Sequence, residues 1–326
     1  MRRFGRLLGR GVIFLFLTFL VLWVALPSDP VDREISFDTN NLPVDLDAWL
    51  KHAEQQFPDI LPGAAKRIVW SGEAGMKTPL AVVYLHGFSA TAEEIRPVPD
   101  HVAKALGANL YFTRLAGHGR GGDALAGATA GDWVEDTAEA MAIGRRLGDQ
   151  VVLIGTSTGA TLTALAAADP ALSKDLAGVV MVSPNFGLKS AAAAMLDLPL
   201  ARYWGPLVAG AERSFVPANA DHGRYWTTRY PTAALFPMAA LVRHVRNLDF
   251  SAAKAPALVI YSPDDQVIDP ARIPPVLDAW GGPVTQAQRK MDAGDDAYSH
   301  VIAGDILSPG QTAAVTALIL EWARGL

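Results

Sequence analysis

Short apolar runs alternate with longer helical patterns from residue 80 to the C-terminal end of this sequence. Short runs of this kind, bounded by turn residues, are typical of strands that are buried on both faces of a sheet. Because helices separate them, they predict an α/β fold with a mostly parallel, doubly wound sheet, in which ligands bind at the carboxyl ends of the strands. The predicted strands are LAVVYLH (80–86), NLYFTRL (109–115), QVVLI (150–154), GVVMVSP (178–184), ALVIYSP (257–263) and VTQAQRKM (284–291).

The 326 residues show no composition break after residue 80, which favours one large domain over two. We place this domain at residues 66–326, and a polar linker with a short helix at residues 28–65. The stretch 187–248 interrupts the alternation with many aromatic residues and prolines. The strands on either side of it look consecutive in the sheet, so the stretch is predicted to be a cap insertion over the strand ends.

The first ten residues contain four arginines, and the apolar run VIFLFLTFLVLWVAL (12–26) follows them. A basic flank before an apolar run is typical of a membrane anchor or a signal peptide. Fifteen helical residues reach only about 22 Å, which is shorter than the ~30 Å hydrocarbon core of a membrane. On the other hand, no pattern of small residues marks a cleavage site for a signal peptide. We therefore predict an uncleaved signal anchor at residues 1–27, with a cleaved signal peptide and a secreted protein as the alternative. Either interpretation places the body on the non-cytoplasmic side of a membrane, the periplasmic side in a bacterium.

Several classes of ligand are not expected. Nucleic acid is not expected as a partner, because the net charge is −5 and the body has no basic stripe. The lack of cysteine excludes disulfides and thiolate metal sites. Neither a metal nor a cofactor is predicted, because the sequence has no HExxH, P-loop or carboxylate cluster with metal spacing. The run GHGRGG (117–122) matches G-x-G-x-x-G, but no clear helix is predicted before Trp133, so we interpret it as a turn.

The segment Gly155-Thr156-Ser157-Thr158-Gly159 reads G-x-S-x-G between the strand QVVLI and the helical run ATLTALAAA. This strand–turn–helix setting is the one in which the motif presents a nucleophilic serine. Gly155 and Gly159 are expected where the strand and the helix pass so closely that a Cβ would clash. The pattern predicts that Ser157 is a nucleophile above the sheet.

A serine hydroxyl needs a base to take its proton and an acid to orient that base. Of the seven histidines, only His300 follows the last predicted strand. The acid is expected at the end of the strand before that, where Asp265 is favoured and Asp264 is the alternative. Three further acids near His300 are predicted to be solvated loop residues, namely Asp292, Asp295 and Asp296.

Acyl transfer also needs N–H donors for the oxyanion that forms. One predicted donor is the backbone N–H of Thr158, and the second is that of Phe88, which follows the strand ending at residue 86. His86 and Gly87 are expected to hold this loop in place rather than to react.

These motifs together resemble the α/β-hydrolase superfamily, and most closely its carboxylesterase and monoacylglycerol-lipase-like branch. The resemblance covers residues 65–326 and is carried by HGFSA (86–90), RLAGHGR (114–120), DW (132–133), GTSTG (155–159), SPDDQVID (262–269) and the late His300. It implies an ester hydrolase that acts through an acyl-enzyme, with the roles assigned above to Ser157, Asp265 and His300. One departure is that threonines flank the serine on both sides, which narrows the space beside it.

The preferred hypothesis is therefore a carboxylesterase or lipase-like serine hydrolase acting on a small-molecule or lipid-like ester. A peptidase, thioesterase or acyltransferase with the same triad is the alternative, because fold and triad do not decide among these activities. A membrane-tethered scaffold without activity is a third hypothesis, and covalent labelling of Ser157 distinguishes it from an enzyme.

Overall fold

A computed structural model of the chain describes residues 9–18, 21 and 29–326. Its strands are β1 Arg67–Val69, β2 Thr78–Leu85, β3 Asn109–Phe112, β4 Gly148–Thr156, β5 Leu176–Val182, β6 Glu212–Ser214, β7 Arg229–Pro231, β8 Ala257–Tyr261 and β9 Val284–Gln288. Strands β6 and β7 make a separate hairpin, and the other seven form one sheet in the order β1-β3-β2-β4-β5-β8-β9. All neighbours in this sheet are parallel except β1, which is antiparallel to β3. The predicted α/β fold with a mostly parallel sheet is confirmed.

The central strands are buried on both faces, as their continuous apolar sequences predict. Their register brings three carboxyl ends side by side, because Gly155 of β4 lies opposite both Leu85 of β2 and Met181 of β5. The loops that follow these three strands therefore leave the sheet next to one another. This is the edge at which a parallel sheet binds its ligands.

Helices cover both faces of the sheet. The helices are α1 Leu46–Gln55, α2 Val98–Leu106, α3 Gly122–Gly127, α4 Ala130–Leu147, α5 Thr158–Ala168, α6 Ala201–Ala209, α7 Ala220–Tyr225, α8 Leu235–Arg246, α9 Ile273–Asp278 and α10 Pro309–Ala323. The core on one face includes residues of α4, α5 and α8, and the core on the other face includes residues of α2 and α10.

The turn after β3 differs in detail from the expectation. Helix α4 begins at Ala130, before the predicted Trp133, because Thr129 and Asp132 form a capping box at its start. A short helix, α3, begins at Gly122, the last residue of the run GHGRGG, so the expectation of no helix before Trp133 is wrong here as well. A Cβ on Gly122 would lie 2.8 Å from the Cα of Tyr230, so the β7 strand packs directly over the turn. The interpretation of GHGRGG as a turn agrees with this packing.

The residues before β1 pack against the domain. Leu46 and Leu50 of α1 are buried in the same core as the sheet, and Glu54 forms a buried ion pair with Arg114 at 2.7 Å. Further upstream, the N–H groups of Ser36 and Phe37 donate to the carboxylate of Glu135. The segment predicted as linker and short helix is thus held along the surface of the domain.

The predicted cap insertion divides into two parts. The 3₁₀ helix Ala191–Asp197, α6, the hairpin and α7 lie between β5 and α8 in sequence, and among these segments only α7, through Tyr225, packs against either core. Helix α8, at the C-terminal end of the predicted cap, instead packs on α5 with Leu241 and Val245 buried. Parallel neighbours are usually joined through a helix, and α8 lies on the connection from β5 to β8 and contributes its buried side chains to the core on one face of the sheet.

In the described ranges 9–18, 21 and 29–326, we find no helix with the length and apolarity needed to cross a membrane. Much of the predicted anchor at residues 1–27 lies outside the described residues. Residues 9–18 are helical, and the side chains from Val12 to Leu17 are each at least half exposed.

Candidate active site

Ser157 occupies a strained turn between β4 and α5. Its backbone angles, φ 53° and ψ −115°, lie in a region that residues other than glycine rarely adopt. Its N–H donates to the carbonyl of Val182 at 2.9 Å. Strained backbone of this kind persists only where the surroundings over-determine it, and it is concentrated at functional sites. The turn holds the Ser157 side chain at the carboxyl edge of the sheet.

The two glycines of the motif are required by crowding, as the sequence predicts. A Cβ on Gly155 would lie 2.6 Å from the carbonyl carbon of Gly159, and a Cβ on Gly159 would lie 2.6 Å from the carbonyl oxygen of His86. Real Cβ atoms essentially never approach this closely. The strand, the helix and the loop after β2 can therefore meet only with glycine at both positions.

Ser157, His300 and Asp265 form one hydrogen-bonded chain. The Oγ of Ser157 lies 3.0 Å from Nε2 of His300, and Nδ1 of His300 lies 2.8 Å from Oδ2 of Asp265. All three side chains are buried, and Asp265 is fully so. The structure thus brings together the three residues that the sequence selected from distant parts of the chain.

Asp265 is held on both sides of its carboxylate. Its Oδ1 accepts hydrogen bonds from the N–H groups of Val267 and Ile268, at 2.7 and 2.9 Å, while Oδ2 faces His300. Its backbone carbonyl accepts a further bond from Nζ of Lys189 at 2.6 Å. Asp264, the alternative acid, is exposed. The geometry therefore favours Asp265.

The loop that carries His300 is held by groups that the sequence analysis did not assign. Oδ2 of Asp296 accepts from the N–H groups of His300 and Val301, at 3.0 and 2.9 Å, and Ser183 Oγ donates to the carbonyl of His300 at 2.7 Å. The prediction that Asp296 is simply a solvated acid is therefore wrong. An acid in a polar loop gives no sequence signal that it will bind the backbone of a histidine four residues later.

The charges around His300 favour its protonated form. Burial alone lowers the pKa of the imidazole, but the hydrogen bond and charge of Asp265, with smaller contributions from Glu94 and Asp296, outweigh this effect and raise it. His300 is consequently a stronger base than a histidine in water.

Two backbone N–H groups adjoin Ser157, because Phe88 follows Gly87, which packs against the Ser157 side chain, and Thr158 follows Ser157 itself. The N–H of Phe88 has no acceptor in the described part of the chain, and that of Thr158 is the first of α5, which has no acceptor within its own helix. His86 holds the loop, because its Nδ1 bonds the carbonyl of Gly87 at 2.9 Å and its Nε2 accepts from Leu115 N–H at 3.0 Å. Burial lowers the pKa of His86 to about 4, so this ring is neutral and suited to hold rather than to transfer protons.

Glu94 is a second buried carboxyl near the site, and the sequence analysis did not identify it. Its Oε2 accepts from the N–H of Gly87 at 2.7 Å and from the hydroxyl of Tyr84 at 3.1 Å. Burial raises the pKa of Glu94 to about 7. In the sequence it reads as half of a solvated acid pair with Glu93, so only the fold reveals its position.

Within the described residues, no group of three or more histidine or acidic side chains is placed to hold a metal ion. The chemistry available at this edge of the sheet is that of a serine, an imidazole, carboxyl groups and backbone N–H donors.

The fold and this arrangement define a member of the α/β-hydrolase class. The model of the alpha/beta hydrolase family matches residues 82–310, and the chain belongs to that family. A thermostable monoacylglycerol lipase from a Bacillus species is 29% identical over 221 residues, which cover 66% of this chain and 80% of the relative.

Solved structures show the same fold. A metagenome-derived lipolytic enzyme superposes with a TM-score of 0.64 at 21% identity, over 82% of this chain and 100% of its own. The monoacylglycerol lipase of Paleococcus ferrophilus gives a TM-score of 0.56 at 17% identity, over 79% and 97% of the two chains. The monoglyceride lipase of Saccharomyces cerevisiae gives 0.59 at 13% identity, over 80% and 90%.

Proposed function

We propose that this protein is a serine hydrolase that cleaves carboxylic esters through an acyl-enzyme formed on Ser157. The observation that carries the proposal is the hydrogen-bonded chain from Ser157 Oγ through His300 to Asp265, at 3.0 and 2.8 Å, on a strained turn at the carboxyl edge of the sheet. In a hydrolase fold this chain fits the needs of acyl transfer, in which a base activates the hydroxyl and an acid orients the base.

The proposed reaction uses His300 in both of its halves. Nε2 of His300 takes the proton of Ser157 as Oγ attacks the ester carbonyl, and the N–H groups of Phe88 and Thr158 bind the oxyanion. His300 then protonates the departing alcohol, which leaves the acyl group on Ser157. Water then gives a proton to Nε2 of His300 and attacks the acyl carbonyl, and His300 returns that proton to Oγ of Ser157 as the acid leaves. Each oxyanion donor in such sites contributes about 3–4 kcal/mol to the transition state.

The proposed substrates are lipid-like esters with a small polar alcohol. The Bacillus relative is named a monoacylglycerol lipase, which supports this class. On the protein side, the ring of Phe88 packs edge-on against that of Tyr230 in the cap hairpin, with 5.5 Å between the ring centres, so an aromatic cap residue adjoins the proposed oxyanion loop.

A panel of esters tests this proposal. The purified protein is assayed with p-nitrophenyl esters and monoacylglycerols of rising acyl length, beside thioesters and aminoacyl amides, with Ser157→Ala as the control. We expect esters to be cleaved fastest, with all turnover lost in the alanine variant. Faster cleavage of amides or thioesters than of every ester would contradict the esterase assignment and favour a peptidase or thioesterase.

We also propose that the N-terminal segment tethers the protein to a membrane with the catalytic domain on the non-cytoplasmic side. The arginines before residue 11 and the exposed apolar side chains from Val12 to Leu17 support this proposal. Membrane fractionation of the full chain, compared with a chain lacking residues 1–28, tests it. Recovery of the full-length chain in the soluble fraction would contradict the tether.

A further inference from the structure

Glu94 is a buried carboxyl to which the proposed reaction steps give no role. It is 2% exposed, and its Oε2 accepts hydrogen bonds from the Gly87 N–H and the Tyr84 hydroxyl. The nearby arginines do not neutralise it, because Arg67 and Arg96 both bind the adjacent Glu93, at 2.8 and 2.9 Å. A carboxyl buried without a cation is costly, and such groups are rare away from functional sites.

The carboxyl lies directly beside the proposed nucleophile and oxyanion loop. A Cβ on Gly87 would lie 2.6 Å from Oε1 of Glu94 and 3.2 Å from the Cβ of Ser157. Gly87 is therefore enclosed between the carboxyl and the serine, and no larger residue fits there. Since Gly87 immediately precedes Phe88, the hydrogen bond from Gly87 N–H to Glu94 sets the path of the backbone that presents the Phe88 N–H.

The charge of Glu94 also acts on His300. The acidic groups that favour the protonated imidazole are Asp265, which bonds it directly, then Glu94 and Asp296. On the other side of Glu94, the Tyr84 hydroxyl lies between its carboxyl and the Oγ1 of Thr156, the residue before Ser157. Burial brings the pKa of Glu94 to about 7, so its ionisation changes in the range where ester hydrolysis is assayed.

We propose that Glu94 is a positioning residue for the reaction at Ser157: its carboxyl orients the Gly87–Phe88 peptide, and its negative charge stabilises the protonated His300 formed during acyl transfer. This inference rests on the ester hydrolysis proposed above. It adds a second acid to the site, which acts through His300 and the oxyanion loop without touching the substrate.

Two substitutions separate these effects. Glu94→Gln removes the charge but keeps an oxygen that accepts from Gly87 N–H, and Glu94→Met removes both. The matched control is Glu93→Gln, which removes the neighbouring charge where two arginines hold it. Each kcat is divided by the fraction of protein that a fluorophosphonate titrates, so that unfolded material does not count.

For Glu94→Gln, we expect kcat/KM to fall at pH 8.5 and to stay close to wild type at pH 6, because the wild-type carboxyl, with a pKa of about 7, carries its charge mainly at the higher pH. The ratio of kcat/KM at pH 6 to that at pH 8.5 should therefore rise about threefold or more over wild type, since only at the higher pH does the protonated His300 lose an opposite charge. For Glu94→Met, kcat at the pH optimum should fall about tenfold or more with little change in KM, because the oxyanion donor is displaced. Glu93→Gln should match wild type in both measurements.

A Glu94→Gln profile that superimposes on the Glu93→Gln profile would overturn the inference, and so would a Glu94→Met variant whose kcat stays within about twofold of wild type. These failures are distinct from failure of the proposed function. If the proposed function itself were wrong, the wild-type protein would neither react with the fluorophosphonate nor cleave esters.

Discussion

The Oγ of Ser157 lies 3.0 Å from Nε2 of His300, although 143 positions separate the two residues in the chain. Ser157 is placed by the turn after β4, and His300 by a loop that Asp296 and Ser183 hold through its backbone. Two independent parts of the fold thus converge on one hydrogen bond. The predictions below test what depends on that convergence.

The first prediction concerns the choice of acid. Asp265→Asn should lower kcat by about 10³-fold or more, because the amide neither orients the imidazole correctly nor stabilises its charge. Asp264→Asn should stay within about twofold of wild type, because Asp264 is exposed. Steady-state kinetics of both variants on one ester make the comparison. Equal losses in the two variants would mean that the acid is wrongly assigned.

A second prediction follows from the protonation of His300. The imidazole must be neutral to accept the proton of Ser157, and the Asp265 carboxylate, acting against burial, raises its pKa above the ordinary 6.5. Activity should therefore fall as the pH drops through a value above 6.5 and recover on return to pH 8. The measurement is a profile of kcat/KM against pH for the wild-type protein. A rate that stays constant down to pH 5.5 would contradict this account.

The third prediction addresses the turn around Ser157. Gly155→Ala should lower the free energy of unfolding by about 2 kcal/mol or more, because the new Cβ meets the backbone of Gly159. Gly121→Ala is the matched control, since a Cβ at Gly121 meets nothing within 4 Å and its φ is −77°. Urea unfolding monitored by tryptophan fluorescence gives both values. If the two variants were equally stable, the crowding argument would fail.

A fourth prediction tests how firmly helix α1 belongs to the domain. Glu54→Gln should lower the free energy of unfolding by about 2–4 kcal/mol, because it leaves the buried Arg114 without its partner. Asp149→Asn breaks an exposed contact with Lys77 at 3.7 Å and should cost less than about 0.5 kcal/mol. Urea unfolding at neutral pH provides the comparison.

The pH dependence of the Glu54 effect has a definite sign. Burial alone would raise the pKa of Glu54, but the hydrogen bond and charge of Arg114, together with those of Lys66, outweigh burial and hold it below the usual glutamate value. The ion pair therefore stabilises the protein above that value, and its contribution is lost as the pH falls and Glu54 takes up a proton. The difference between wild type and Glu54→Gln should shrink in acid. A difference that grew as the pH fell would contradict the ion pair.

The sequence predicted the parts of the fold and site that depend on local pattern and chain order. Ser157 was identified because a strand, two glycines and a helix adjoin it, and His300 and Asp265 because each follows a predicted strand in the order that the family uses. The parallel sheet was predicted because its central strands are buried on both faces and so read as apolar runs.

Other features depend on contacts between distant residues, and no local pattern marks them. Glu94, Glu54 and Asp296 look like solvated acids in the sequence, and only tertiary packing buries the first two and turns the third towards the backbone of His300. Helix α3 was missed because glycines at both of its ends weaken the helical signal. Helix α8 was assigned to the cap because its place in the layer over the sheet depends on its packing against α5.

The central claim is that Ser157 is the nucleophile of a hydrolase, and covalent labelling tests it most directly. The wild-type protein and Ser157→Ala are treated with an alkyl fluorophosphonate, after circular dichroism has verified that the variant is folded. The adduct is then located by peptide mass spectrometry. We predict one adduct per wild-type chain, on the peptide that contains Ser157, and none on the folded alanine variant. A folded wild-type protein that takes up no label, or an adduct that persists in Ser157→Ala, would contradict the account.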